Sequence, residues 1–365
     1  MKKQARWIVA LAVIAGAYPN WTFSARAADE ETRVAAEARA KDPAWQPATR
    51  EVGTIQIGDR KRPGALKNFC VNAEGNIVAC FVPNELAKSP SAEAGPGLRV
   101  YAPSGKLLKT WPLEIKPAVV CVAGDGAMFV AGDGKLLKLD AEGKVLASVA
   151  SPVASVPVEI TPAMVDMLQQ SKRNNPEESG RMKASLDRRR ADVTGLAATE
   201  QDVFISVPTP NEFTYRVYRF DQALQNPKLV VEKLRGCCGQ MDIQARDSKL
   251  WIPHNGRHSV ETRDRDGKEL SKFGKRGKVK AEDFGGCCEP KNMRVLTNGD
   301  VLVAESGPPL CIKRFSASGK FLGVLAIVNE KSECVRVTVE LSPDGNSFYL
   351  LDTKRDAIRI FQTKS

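Results

Sequence analysis

Residues Pro290–Phe315 read PKNMRVLTNGDVLVAESGPPLCIKRF. An apolar run from Met293 to Leu296 meets the polar turn Thr297-Asn298-Gly299-Asp300, and a second apolar run, Val301 to Ala304, ends on Glu305. Short apolar runs joined by a Gly-bearing turn are strands of an antiparallel hairpin, because only glycine takes up positive φ there without strain. The same pattern recurs on both sides of this stretch. It reads FCVNAEGNIVACF from Phe69, VCVAGDGAMFVAG from Val120 and LAATEQDVFISV from Leu196. It reads MDIQARDSKLWIPH from Met241 and VTVELSPDGNSFYLLD from Val337. Turn centres fall at Gly75, Gly126, Gln201, Ser248, Gly299 and Gly345, with one longer interval between Gly126 and Gln201.

Further strands follow each pair. Ser104-Gly105-Lys106, Glu142-Gly143-Lys144, Asp266-Gly267-Lys268 and Ser318-Gly319-Lys320 are near-identical connecting turns. Four antiparallel strands repeated six times predict an all-β fold, a six-bladed β-propeller. The last unit ends on AIRIF, Ala357 to Phe361, one strand short, while VGTIQIG, Val52 to Gly58, is spare at the other end. Pairing the two closes the ring and removes two exposed edges.

Pro290–Phe315 resembles the NHL repeat: a proline, an inner strand, a Gly turn, a second strand ending in an acid, then Ile-x-x-Phe. LSPDGNSFYLLDTKRDAIRIF, Leu341 to Phe361, matches well, and the other four units match more loosely. The resemblance implies an NHL-like six-bladed propeller. It leaves function open, because such propellers include scaffolds as well as lyases.

The ends and the long interval complete the organisation. Lys2, Lys3 and Arg6 precede an apolar run from Trp7 to Tyr18, and Ala25-Arg26-Ala27 offers small residues for cleavage. We therefore expect a signal peptide over residues 1–27, a helical or disordered lead-in over 28–47 and the propeller over 48–365. The expected location is periplasmic or secreted, with no transmembrane segment after cleavage. The formal charge of +11 drops by the four cations of the leader, and the remaining Lys and Arg are largely dispersed at turns. That distribution and an exported location argue against a nucleic-acid partner. TPAMVDMLQQSKRN, from Thr161, and RMKASLDRRRADV, from Arg181, predict a helical insertion between blades 2 and 3, about residues 151–192. Its Arg188-Arg189-Arg190 run is either a contact for an acidic partner or a solvated face.

Strand order places the lead-in to each first strand, the end of each second strand and the insertion at one mouth of the channel. Cys237-Cys238 and Cys287-Cys288 precede consecutive first strands, and Cys334 stands at a similar place. His254, Glu305 and Asp352 end second strands. Three readings of the cysteines stay open. Each pair forms a vicinal disulfide, or the pairs cross-link neighbouring blades, or thiolates with His254 hold Cu or Zn. An oxidising compartment favours disulfides. Cys70, Cys80, Cys121 and Cys311 read as packed thiols. Glu289, Asn292 and Arg294 adjoin the second pair, and Arg294 points either to a bound anion or to an internal salt bridge.

We expect a non-catalytic binding or scaffold propeller whose ligand is a protein, peptide, glycan or small molecule. Its mouth candidates are Cys237, Cys238, Cys287, Cys288, Glu289, Asn292, Arg294, His254 and Glu305. A nucleophile elbow, a His-rich metal motif and a phosphate loop are all missing from the sequence, so neither catalytic residues nor a cofactor are assigned. Alternatives are a lyase or lactonase-like hydrolase on the same fold, or a thiolate metal or redox protein. Inner strands reading FCV, VCV, LAA, MDI, MRV and VTV predict mostly apolar channel walls, with Asp242, Arg294 and Thr338 as exceptions.

Overall fold

The structure is a computed structural model that describes residues 25–61, 63–83, 95–170, 176–236, 239–329 and 335–364. Among these described residues twenty-four strands, β1 to β24 in chain order, form six four-stranded antiparallel sheets. Blades 1 to 5 take consecutive strands: β2–β5 (66–112), β6–β9 (119–150), β10–β13 (195–235), β14–β17 (244–273) and β18–β21 (292–329). Blade 6 orders β22 (Val339–Leu341), β23 (Ser347–Asp352), β24 (Ala357–Thr363) and then β1 (Thr49–Gln56), which runs antiparallel to β24 with Ile55 opposite Ile358. The spare N-terminal strand therefore closes the ring.

Apolar alternation becomes six cores, one between each pair of neighbouring blades. Cys70, Val78 and Leu98 of blade 1 meet Val120, Met128 and Leu137 of blade 2. Ile55, Tyr349 and Ile358 of blade 6 meet Phe69 and Ile77 of blade 1 across the closing seam. Phe69, Phe129 and Phe204 are fully buried, each worth roughly 2 kcal/mol of burial. The turn glycines Gly143 and Gly319 have φ of 86° and 83°. A side chain at either would strike an aromatic ring of the preceding blade, Trp111 or Phe273. Glycine thus serves the hairpin and the blade contact together.

The insertion is helical as expected, with α2 (Pro162–Gln170) and α3 (Pro176–Arg190) lying between β9 and β10. The arginine run is partly turned inward. Arg190 donates to Val156 O at 3.0 Å, and Arg189 donates to Glu212 O at 3.1 Å and lies over the Phe213 and Tyr215 rings. Helix α1 (Ala25–Lys41) begins within the expected leader and runs through most of the expected lead-in, followed by a short turn, Pro43–Trp45. Buried Trp45 donates from Nε1 to Val279 O at 2.7 Å, docking this segment against blade 5. Among the described residues no helix is long and apolar enough to cross a membrane.

Candidate functional site

Second strands β15 (Lys249–His254), β19 (Val301–Glu305) and β23 (Ser347–Asp352) end on His254, Glu305 and Asp352, as the repeat alignment requires. These ends anchor neighbouring backbone. The Arg235 N–H donates to His254 Nε2 at 2.9 Å, so the ring proton sits on Nδ1 and faces Glu261 Oε1 at 2.5 Å. Both ring nitrogens of His254 are engaged, which leaves no lone pair for a ligand. Glu261 also binds the Arg263 guanidinium at 2.6 Å. Burial pushes the Glu261 carboxyl up, but the bonds and charges of His254 and Arg263 outweigh it and bring it down to about 2. In blade 5, Glu305 accepts from Gly285 N at 2.6 Å and pairs with Lys313. Buried Lys313 also donates to Asp283 O at 2.6 Å and stands 4.9 Å from the Trp45 ring centroid.

The loop leading into blade 5 carries the second cysteine pair. Cys287 is exposed and Cys288 buried, with their Sγ atoms 3.3 Å apart as thiols. Disulfide pairing is not shown for either residue. Lys291, fully buried, places Nζ 3.2 Å from Cys288 Sγ. Glu289 Oε1 accepts from Ser306 N at 3.0 Å, Ser306 Oγ at 2.8 Å and Gly307 N at 2.7 Å. Its Oε2 is buried without a hydrogen-bond partner. Burial, opposed by the Lys291 charge and reinforced by Glu305, pushes the Glu289 carboxyl up to about 8. Cys237, Cys238 and Cys334, named above as mouth or metal candidates, lie outside the described residues. Among the described residues no group of three or more His, Cys, Asp and Glu is placed to hold a metal ion.

Two of the polar exceptions named above, Asp242 and Arg294, belong to a polar belt that gathers further polar groups. Arg294 reaches Glu340 at 2.6 Å and Asp242 at 3.0 Å. Asn292 donates to Asp242 at 2.5 Å and accepts from Val339 N at 2.8 Å. Gln240 bonds both the N–H and the C=O of the Val337 region, donating to Val337 O at 2.6 Å and accepting from Val337 N at 3.1 Å. Burial raises the carboxyls of Asp242 and Glu340, and Arg294 opposes the rise in each. Asn292 and Arg294 are thus knit into one network joining blades 4, 5 and 6. Cys70 and Cys121 sit on inner strands near this belt, their thiols pushed up by burial, Cys121 to about 12. Cys80 and Cys311 are buried in apolar clusters.

On the other side of the same mouth lies a cavity of about 470 Å³ lined by Lys67, Lys116 and Arg336, with Gly64, Val82 and Pro117 among its walls. Arg336 leads into β22 of blade 6 and donates across the channel to Thr194 O, at the start of blade 3, at 3.2 Å. Its Nε is buried without a hydrogen-bond partner. Burial lowers the Lys67 pKa, Arg336 and Lys116 lower it further, and Asp356 opposes them. Three cations from blades 1, 2 and 6 therefore face one space.

No protein-family model matches the sequence, and no curated protein matches it either. Solved structures do. A gluconolactonase from Xanthomonas campestris is similar at TM-score 0.53 and 10% identity, covering 87% of this chain and 96% of that one. Virginiamycin B lyase from Staphylococcus aureus, solved with quinupristin, is similar at TM-score 0.50 and 12% identity, covering 86% and 99%. A chain of the mitotic checkpoint complex has TM-score 0.50 and 12% identity, covering 89% and 98%. All three likenesses are of fold alone.

Sequence reading missed Lys67, Lys116, Arg336, Lys291 and Glu340. The first three belong to separate blades, and nothing local marks them. Lys291 was within reach, since a lysine three residues after a cysteine pair, in a loop otherwise anchored to the core, has few ways to reach solvent.

Proposed function

We propose that this chain is an exported NHL-type propeller that binds, without transforming, an anionic ligand at its channel mouth. The observation that carries the reading is the cavity of about 470 Å³ faced by Lys67, Lys116 and Arg336. Three cations crowded at one space repel one another, and a bound carboxylate or phosphate relieves both that repulsion and the cost of partly burying Lys67 and Arg336. A binding role also fits the belt, where the Asp242 and Glu340 carboxylates are tied to Arg294. The ligand class is a small polyanion or an acidic peptide.

The test is calorimetric titration of the full chain with citrate and with inorganic phosphate, against a neutral sugar as control. Binding of an anion is expected, weakened by added salt and weakened roughly tenfold by Arg336→Ala or Lys67→Ala. Equal affinity of the variants for either anion, or no anion binding at all, would overturn the reading.

A further inference from the structure

We propose that Cys287 and Cys288 form a thiol–disulfide exchange site for disulfide-bonded substrates, with Lys291 as the positioning residue that holds Cys288 as a thiolate. The division of labour follows from exposure and distance. Cys287 is exposed and so meets an incoming disulfide, while Cys288 is buried 3.3 Å behind it. Lys291 is fully buried with Nζ 3.2 Å from Cys288 Sγ. A buried ammonium needs an anion within reach. Cys288 Sγ lies within that reach, and against the burial that opposes it the charge of Cys288 is the largest that favours the Lys291 ammonium, ahead of Glu289. Lys291, Glu289 and His258 stand beside the pair, the last hydrogen-bonded at 3.4 Å to Gly286 O and electrostatically coupled to Cys287, Arg276 and Glu305.

The chemistry balances with a disulfide R–S–S–R as the oxidant. The Cys287 thiolate attacks one sulfur, forming a Cys287–S–S–R bond and expelling R–S⁻. Cys288 Sγ then attacks Cys287 Sγ, forming the Sγ–Sγ bond and releasing the second R–S⁻. Two electrons pass from the protein pair to the substrate; the Cys287 proton goes to solvent before the first attack, Cys288 reacts as the thiolate, and the two released R–S⁻ take up protons from solvent. In the reverse direction a substrate thiolate attacks Cys287 Sγ, and Cys288 departs as a thiolate beside Lys291. An ammonium at that sulfur speeds both the closing attack and the reverse departure, and it favours the reduced pair, making the site an oxidant towards substrate dithiols. These residues are separate from Lys67, Lys116 and Arg336, so failure of the anion site leaves this proposal standing, and the reverse.

The probe is the aromatic disulfide 5,5′-dithiobis(2-nitrobenzoate), added to the reduced full chain. The site is read on the tryptic peptide Ala281–Lys291 by mass spectrometry, which separates it from the other cysteines. Wild type should pass rapidly through a mixed adduct and end with the peptide short of two hydrogens and no reagent attached. Cys288→Ser should trap the adduct on Cys287, and Cys287→Ser should abolish the fast reaction of this peptide. Lys291→Met, read on the longer tryptic peptide Ala281–Arg294 because its cleavage site is lost, should slow ring closure about tenfold near neutral pH and move its pH profile upward. An adduct that persists on wild type overturns the proposal. So does a pH profile unchanged in Lys291→Met. Should that variant misfold, wild-type closure rising with pH as an ordinary thiol does would overturn Lys291's role just as directly.

Discussion

Glu261 in blade 4 and Glu289 at the lead-in to blade 5 are both buried, at 0% and 2% exposure, yet they are driven in opposite directions. Glu261 receives the His254 imidazole and the Arg263 guanidinium, and its carboxyl falls to about 2. Glu289 receives three donors on a single oxygen, leaves the other without a partner, and rises to about 8. The lesson is that burial alone does not decide protonation. What decides it is whether donors and opposite charges cover both oxygens or only one. Blade 4 is thereby a closed structural joint, whereas the blade 5 lead-in holds a neutral acid, a buried ammonium and two thiols.

The linkage has opposite signs at the two sites. The folded pKa of Glu261 lies below its ordinary value near 4.5, so its stabilisation is complete above about pH 4.5 and is lost as pH falls towards 2. The folded pKa of Glu289 lies above that value, so its contribution is complete below about pH 4.5 and is lost as pH rises through 8. The strongest way to break the comparison is Glu261→Gln. It should destabilise the fold by about 3 kcal/mol at pH 7, with the gap to wild type closing as pH falls below 4. Urea unfolding across pH reads both quantities, and a constant gap would show that Glu261 does not carry the acid-side dependence.

Glu289→Gln should have a smaller effect and a different shape. The variant should flatten the decline in stability between pH 5 and 8, ending about 1–2 kcal/mol more stable than wild type at pH 8. Parallel curves for the two proteins would contradict the raised carboxyl. Glu51, in the closing strand, sharpens the contrast at the surface. Arg359 binds it with two nitrogens, at 3.0 and 2.5 Å, and its hydrogen bond holds the Glu51 carboxyl below the usual range despite partial burial. Glu51 is itself about a third exposed, so Glu51→Gln should cost only about 0.5–1 kcal/mol in the same unfolding experiment.

The sequence revealed more of the ring than of the site. Val52–Gly58 was legible as the closing strand because alternation and an unpaired edge are local signals, and it pairs with β24 as expected. The ends of second strands at His254, Glu305 and Asp352 were legible from repeat alignment alone. The belt was not. Asp242, Arg294 and Thr338 looked like isolated exceptions on apolar strands, yet inner strands of neighbouring blades set equivalent positions side by side around one axis. Asn68 thereby comes within 3.4 Å of Thr338, 270 residues away in sequence. Glu340 and Gln240 join for the same reason.

By itself the sequence determined the number of blades, the turns, the closing strand and the place of the insertion. Each of these depends on residues close together in the chain, where apolar period and glycine position carry the information. Only the tertiary structure decided which polar groups share a space. It turned His254 into a satisfied joint, gathered Lys67, Lys116 and Arg336 on one cavity, and set Lys291 against Cys288. Those outcomes depend on burial and on distances across the ring or through a folded loop, neither of which a linear pattern of residues contains.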